Sequence, residues 1–247
     1  DVERSRGLGD VYKRQHFKLG PVKYHNVVAS IKGTKYPDEY VIISGHLDSY
    51  DVATGGIDCG TGIGPMMEAA RMIALSGAKP KRTILFVAFA GEEFGLLGAK
   101  AYVKTHAKEL GKIANLFNRD GGPTPPVGIS VPQAMYDDFV EVCKPVKEIR
   151  ADYPFEVKVA KPFKRPTQSG GTDASVFAVE GVPTFGFNTQ DIKGYNFSYG
   201  EIWHTERDLY TKNIPEYQEH AATVTAVVAL GIANLSKQLS REGMHKK

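Results

Sequence analysis

Short apolar runs rich in β-branched residues recur along this chain, and each closes on glycine or a polar string. Tyr40 to Ser44 (YVIIS) ends in Gly45 and then HLDSYD. Thr83 to Ala90 (TILFVAFA) ends in Gly91, Glu92 and Glu93, and Ile113 to Phe117 ends in Asn118, Arg119 and Asp120. Runs that are apolar at every position suit strands covered on both faces. Helical periodicity fills the intervals. From Pro65 to Ser76, one face carries Met66, Met67, Ala70, Ile73 and Ala74, with Pro65 suited to a first helical position and Gly77 to the stop. A second helix runs from about Leu96 to Leu110. Val22 to Gly33 reads as a further strand, and Gly55 to Gly64 as a glycine-rich loop. Strand, helix, strand, helix, strand is the α/β order. It predicts a three-layer sandwich with a mixed, mainly parallel central sheet.

The second half is less regular. Pro123 to Pro132 reads as a Pro/Gly loop, and Gln133 to Ile149 as a helix disturbed at Pro145. Phe155 to Ala160 alternates like an edge strand. Thr172 to Glu180 reads as helical and Val182 to Phe187 as a strand. Gly194 to Trp203 is an aromatic loop, and Pro215 to Leu239 a long helix. Neither a repeat nor a low-complexity linker interrupts the chain, so one domain is expected.

Composition narrows the class. The 247 residues are 42% hydrophobic and 24% charged, enough for a sizeable core. Lys and Arg number 31 against 28 Asp and Glu, a balance with no pull toward nucleic acid or an anionic membrane. No apolar run approaches the ~20 residues of a membrane span. Two cysteines, Cys59 and Cys143, exclude a disulfide scaffold and a Cys-rich zinc finger. Residues 1–15 stand apart, because RGLGDVYKRQ (Arg6 to Gln15) resembles the in-frame translation of a sequencing-library adapter. Residues 16–247 then form the native part, and the natural N-terminus lies upstream of it.

Acidic and imidazole residues gather at the strand ends. His46 and Asp48 follow the first run, Glu92 and Glu93 the second, and Asp120 the third. Asp58 precedes a helix, and His204 and Asp208 sit in a late loop. The carboxyl ends of parallel strands line one crevice, so residues distant in sequence converge there. So many anions in one crevice call for cations. Histidine nitrogen and carboxylate oxygen are good zinc ligands, and paired metals are a known hydrolytic device. The glycine loop lacks the Lys-Ser/Thr ending of a phosphate-binding loop.

The strings GHLDS, GGIDCGTG, FAGEEFGLLGAKAY, NRDGG and WHTERD, in this order, resemble the co-catalytic di-zinc exopeptidase family. The likeness covers nearly the whole chain after residue 15, and Asn26 to His106 looks most like its plasma glutamate carboxypeptidase branch. The resemblance implies a metallo-exopeptidase with two Zn2+ per chain, acting on a peptide or dipeptide next to a free N-terminus. It implies His46 and Asp120 at one zinc, Glu93 and His204 at the other, and Asp58 bridging. Glu92 becomes the general base, and Asp48 orients His46. It also implies a secreted or periplasmic location, with a protease-associated domain often lying upstream. Oligomeric state is left open, a homodimer included. Other readings of the fold are a single-zinc glutaminyl cyclase and a receptor-like binding domain without catalysis.

Three positions depart from the family pattern. Cys59 follows Asp58 where Asn or Asp is usual; it reads as a small packed residue, with a thiolate ligand as the alternative. Trp203 precedes His204 where some members carry Tyr, which leaves Tyr195 or Tyr199 to supply a hydroxyl. Asp173 matches a family aspartate, but Ala174 replaces the histidine that often follows. Asp173, Tyr195, Tyr199 and Trp203 are therefore candidate substrate contacts. Asp208 reads equally as a loop anchor or a support for the site.

Overall fold

The computed structural model describes residues 20–246, so the expectation for residues 1–15 lies outside the described residues. The elements follow in chain order. They are β1 (Val27–Ile31), β2 (Tyr36–His46), α1 (Gly60–Leu75), β3 (Arg82–Phe89), α2 (Leu97–Thr105), β4 (Ile113–Asn118) and β5 (Pro126–Pro132). Then come α3 (Tyr136–Ile149), β6 (Glu156–Ala160), β7 (Phe163–Lys164), α4 (Ala174–Val179), β8 (Phe187–Thr189), α5 (Tyr199–Ile202), α6 (Pro215–Asn234) and β9 (Met244–Lys246).

The central sheet has the order β1-β3-β2-β4. Strands β3, β2 and β4 are parallel, and β1 closes one edge antiparallel to β3. Alternation along the strands builds two cores. Val41, Ile43, Ile84 and Phe86 meet Met66 and Ile73 of α1 and Val224 and Val228 of α6. From the other face, Ile42, Val87 and Phe89 meet Ala99 and Val103 of α2 and Phe177 of α4. Each of the larger side chains contributes about 1.5–3 kcal/mol when fully buried. Helices on both faces make the three layers, and β2, β3 and β4 all deliver their carboxyl ends to one rim.

A second sheet, ordered β6-β5-β8, leaves β6 at an edge, where its alternating pattern belongs. The segment leading into β8 meets the first sheet through an isolated bridge between Leu116 and Thr184, beside the Leu116 N–H donating to the Pro183 carbonyl at 2.9 Å.

Several boundaries differ from the sequence expectations. Helix α1 begins at Gly60, inside the expected glycine loop, and Pro65 lies within it. Proline has no N–H for the Thr61 carbonyl, and Arg119 Nε donates there instead at 2.8 Å. The expected loop at Pro123 to Pro132 contains β5, whose prolines sit at its two ends while β6 and β8 pair along it. The strand expected from Val182 begins only at Phe187. Helix α2 ends at Thr105, and a 3-10 turn at Leu110–Lys112 follows. Helix α6 stops at Asn234, where the residues at the start of β3 cap it. Lys81 Nζ donates to the Asn234 carbonyl and Arg82 Nη1 to that of Leu235, both at 2.7 Å.

The turn between β3 and α2 is held by close backbone approach. Asn26 Nδ2 donates to the Gly98 carbonyl at 2.9 Å, and the Ala90 N–H donates to Asn26 Oδ1 at 3.0 Å. A Cβ on Gly98 would lie 2.5 Å from the Ala90 carbonyl oxygen. Gly98→Ala is expected to cost about 1–3 kcal/mol. A lowered midpoint of chemical unfolding is the measurement; an unchanged midpoint would contradict this packing.

Candidate functional site

His46 ends β2 and is buried. Its Nδ1 donates to the Asp48 main-chain carbonyl at 2.9 Å, which leaves Nε2 for the crevice. That nitrogen lies 2.9 Å from Asp58 Oδ1 and 3.4 Å from Asp120 Oδ1. Across the crevice, His204 Nε2 lies 2.9 Å from Glu93 Oε2. Ligand atoms of His46, Asp58 and Glu93 all fall within 4.8 Å of one another, as do those of His46, Cys59 and Asp120. A cleft of about 520 Å³ is lined by Asp58, Glu92, Glu93, Asp120, His204 and Lys100. Tyr199 and Trp203 also line it.

Neighbouring groups fix these side chains. The two carboxylate oxygens of Asp48 each accept a main-chain N–H, from Glu92 and Glu93, both at 3.1 Å. Asp48 thus orients His46 through its backbone, while its side chain holds the turn that carries both glutamates. Asp208 is fully buried and accepts the Ile57 N–H at 2.6 Å and the Asp58 N–H at 3.2 Å. Its place is beneath Asp58, as support for the site. The Asp120 loop is tied to α1, where Thr61 Oγ1 donates to the Gly121 carbonyl at 2.9 Å. The Cys59 thiol donates to the Arg119 carbonyl at 3.0 Å, and burial pushes its pKa up. The Asp58–Cys59 peptide is cis.

The other candidate substrate contacts differ in placement. Asp173 is 0% exposed and lies close enough to Glu92 to help raise its pKa. Its carboxylate has no hydrogen-bond partner among the described residues. The Tyr195 hydroxyl donates to Glu216 at the start of α6, away from the cleft. Tyr199, in contrast, faces Asp58, and burial followed by that carboxylate raises its pKa.

Charge shows what is needed here. Burial pushes Glu92 up to about 8, with Asp120, Asp173 and Glu93 adding to the rise and His46 opposing it. Burial likewise raises Glu93, helped by Asp58, and its Oε1 is buried without a hydrogen-bond partner among the described residues. Burial works against the charged form of His46, yet its bonds to Asp120 and Asp58 hold its pKa far above the ordinary range. Crowded carboxylates with imidazole nitrogens between them are a hard, N/O-rich donor set that divalent cations would neutralise. The residues present fit a metal centre.

Residues 26–228 match the sequence model of Peptidase family M28. The chain belongs to peptidase family M28. Carboxypeptidase Q of Rattus norvegicus is 32% identical over 231 residues, covering 92% of this chain and 46% of that protein. Carboxypeptidase Q of Xenopus laevis is 31% identical over 247 residues, with 96% and 48% covered. The M28 chain thus spans about half the length of these curated relatives. Among solved structures, a peptidase M28 precursor from Shewanella amazonensis superposes with a TM-score of 0.71 at 32% identity, covering 87% of this chain and 46% of that one. BSAP, a zinc aminopeptidase from Bacillus subtilis, shares the fold with a TM-score of 0.64 at 21% identity, covering 90% and 53%. No helix among the described residues of this M28 chain is long and apolar enough to cross a membrane.

Asp208→Asn keeps the shape but leaves one oxygen and an amide where two N–H groups point. A loss of about 1–3 kcal/mol is expected. Denaturant unfolding at neutral pH would read it; wild-type stability would remove Asp208 as the anchor of the Asp58 turn.

Proposed function

We propose that residues 16–247 are the catalytic domain of a di-zinc exopeptidase that cleaves the bond next to a free N-terminal residue. The observation that carries this reading is the convergence of His46, Asp58, Glu93, Asp120 and His204 with Glu92 in one cleft. His46 and Asp120 would hold one zinc and Glu93 and His204 the other, with Asp58 shared. Bound zinc would supply Lewis acidity to the scissile carbonyl and to water. The chain's own groups do the rest. Glu92 takes a proton from the attacking water and passes it to the leaving amine. Asp48 fixes the backbone of Glu92 by accepting its N–H. The Tyr199 hydroxyl, on the cleft wall, would donate to the carbonyl oxygen as charge develops there. Secretion or periplasmic export belongs to the same proposal and rests on the resemblance alone.

Metal analysis of the purified protein is expected to find close to two zinc per chain, and a chelator should abolish hydrolysis of aminoacyl peptides. One zinc or none would count against the reading. Glu92→Gln should retain metal while lowering kcat by about 10²–10⁴. Near-normal turnover would remove Glu92 as the base.

Charge in the cleft also bears on the substrate. Among the described residues, Lys100 on α2 is the one Lys or Arg that lines the cleft, alongside its acidic groups. A short zwitterionic peptide suits this pairing of charges, its amine toward the carboxylates and its terminal carboxylate toward Lys100. Hydrogen bonds to charged groups are worth about 1.5–3 kcal/mol, roughly 10- to 150-fold. Leu-Gly is therefore expected to exceed Leu-Gly-amide in kcat/KM by at least about tenfold, with the ratio near one in Lys100→Met. Equal handling of both by the wild type would exclude recognition of a free carboxylate.

A further inference from the structure

Two histidines face the crevice, and they are held in different ways. His46 is buried, and its second ring nitrogen is anchored on the Asp48 carbonyl. Ligating histidines generally need such an outer partner, because it fixes the tautomer and the ring orientation. His204 lacks one. Its Nε2 pairs with Glu93, and no hydrogen bond engages its other nitrogen among the described residues. Its side chain is 32% exposed. Its backbone adopts φ +58°, a left-handed conformation uncommon for a residue with a side chain. Rotation about the bond to an imidazole is soft, so one contact to Glu93 leaves the ring plane undetermined.

A ring face supplies what the missing hydrogen bond would. Tyr50 lies on His204 with ring centroids 4.2 Å apart and planes within 5° of parallel. Trp203, the chain neighbour of His204, leans on it at 4.3 Å and 31°. The segment that carries Tyr50 is itself fastened. The Ala53 N–H donates to the Tyr50 carbonyl at 3.0 Å, and Thr54 Oγ1 donates to the Asp208 carbonyl at 3.2 Å. Asp208 closes the same loop that presents His204. The two stacked rings therefore ride on segments tied to each other within a few residues of the stack.

We propose that Tyr50 is a positioning residue for the His204 side of the metal centre, acting through its ring face in place of an outer hydrogen bond. Tyr50 is not among the residues that line the cleft. The inference rests on His204 serving as a ligand, as proposed above. Its role is to hold the imidazole in the plane that aims Nε2 at the crevice beside Glu93. The phenolic hydroxyl is not required for this; the flat ring is.

The test is metal binding by the full chain, read without turnover. Wild type, Tyr50→Phe, Tyr50→Ala and His204→Ala would be stripped of metal. Each would then be titrated with Zn2+ against a chromophoric chelator, and with Co2+ while its visible absorption is followed. Tyr50→Ala is expected to weaken one of two zinc equivalents by about 10- to 100-fold, the usual cost of losing an outer partner, and to change the Co2+ spectrum of that equivalent only. Tyr50→Phe should match the wild type within about twofold. Tyr50 is 39% exposed, so the Ala variant should fold, and its thermal midpoint would confirm this. Wild-type affinity for both equivalents in Tyr50→Ala overturns the inference, as does a Tyr50→Phe variant as weak as Tyr50→Ala. Two full-affinity zinc equivalents in His204→Ala would overturn the ligand assignment itself. If His204→Ala loses one equivalent while Tyr50→Ala loses none, only the role of Tyr50 falls.

Discussion

Carboxylate crowding at the carboxyl rim of the parallel sheet is the constraint around which the rest of this molecule is arranged. The charges of Asp120, Asp58 and Asp48 add to the burial that raises Glu92 and Glu93. The fold offsets part of that repulsion with main-chain N–H groups. Asp48 takes two of them and Asp208 takes two more. Those bonds do double service, since each also fixes the turn that carries a site residue. The remainder of the charge is left in the cleft, on the groups that suit a divalent cation. Burial sharpens the effect, because a carboxylate removed from water is harder to keep ionised beside another.

The sheet was legible in the sequence for a physical reason. Strands β2, β3 and β4 are covered on both faces, so they appear as unbroken apolar runs that local pattern can find. What failed locally was settled at a distance. The start of α1 at Gly60 depends on Arg119, which serves a carbonyl that Pro65 cannot. Strand β5 exists because β6 and β8 pair with it, although its end prolines resemble a loop. The stop of α6 is met by Lys81 and Arg82, at the start of a strand far earlier in the chain.

The site divides along the same line. Side chains of ligand type stood out because chemistry restricts which residues can do the work and because they follow recognisable strand ends. The positions of Asp173 and Tyr195 could not be read that way, since depth and direction depend on packing by other elements. Asp173 lies buried behind the site and Tyr195 is committed to Glu216. Tyr50 carried no sequence signal of its own. A tyrosine two residues past Asp48 gains meaning only when a loop more than a hundred residues later lays His204 upon it.

The Asp208 anchor reaches further than the turn it supports. Its carboxylate meets the Ile57 amide across 151 positions of sequence. Opening of either the segment before α1 or the loop after α5 breaks these bonds, and slow solvent exchange of the two amide protons becomes a gauge of whether the later loop is seated.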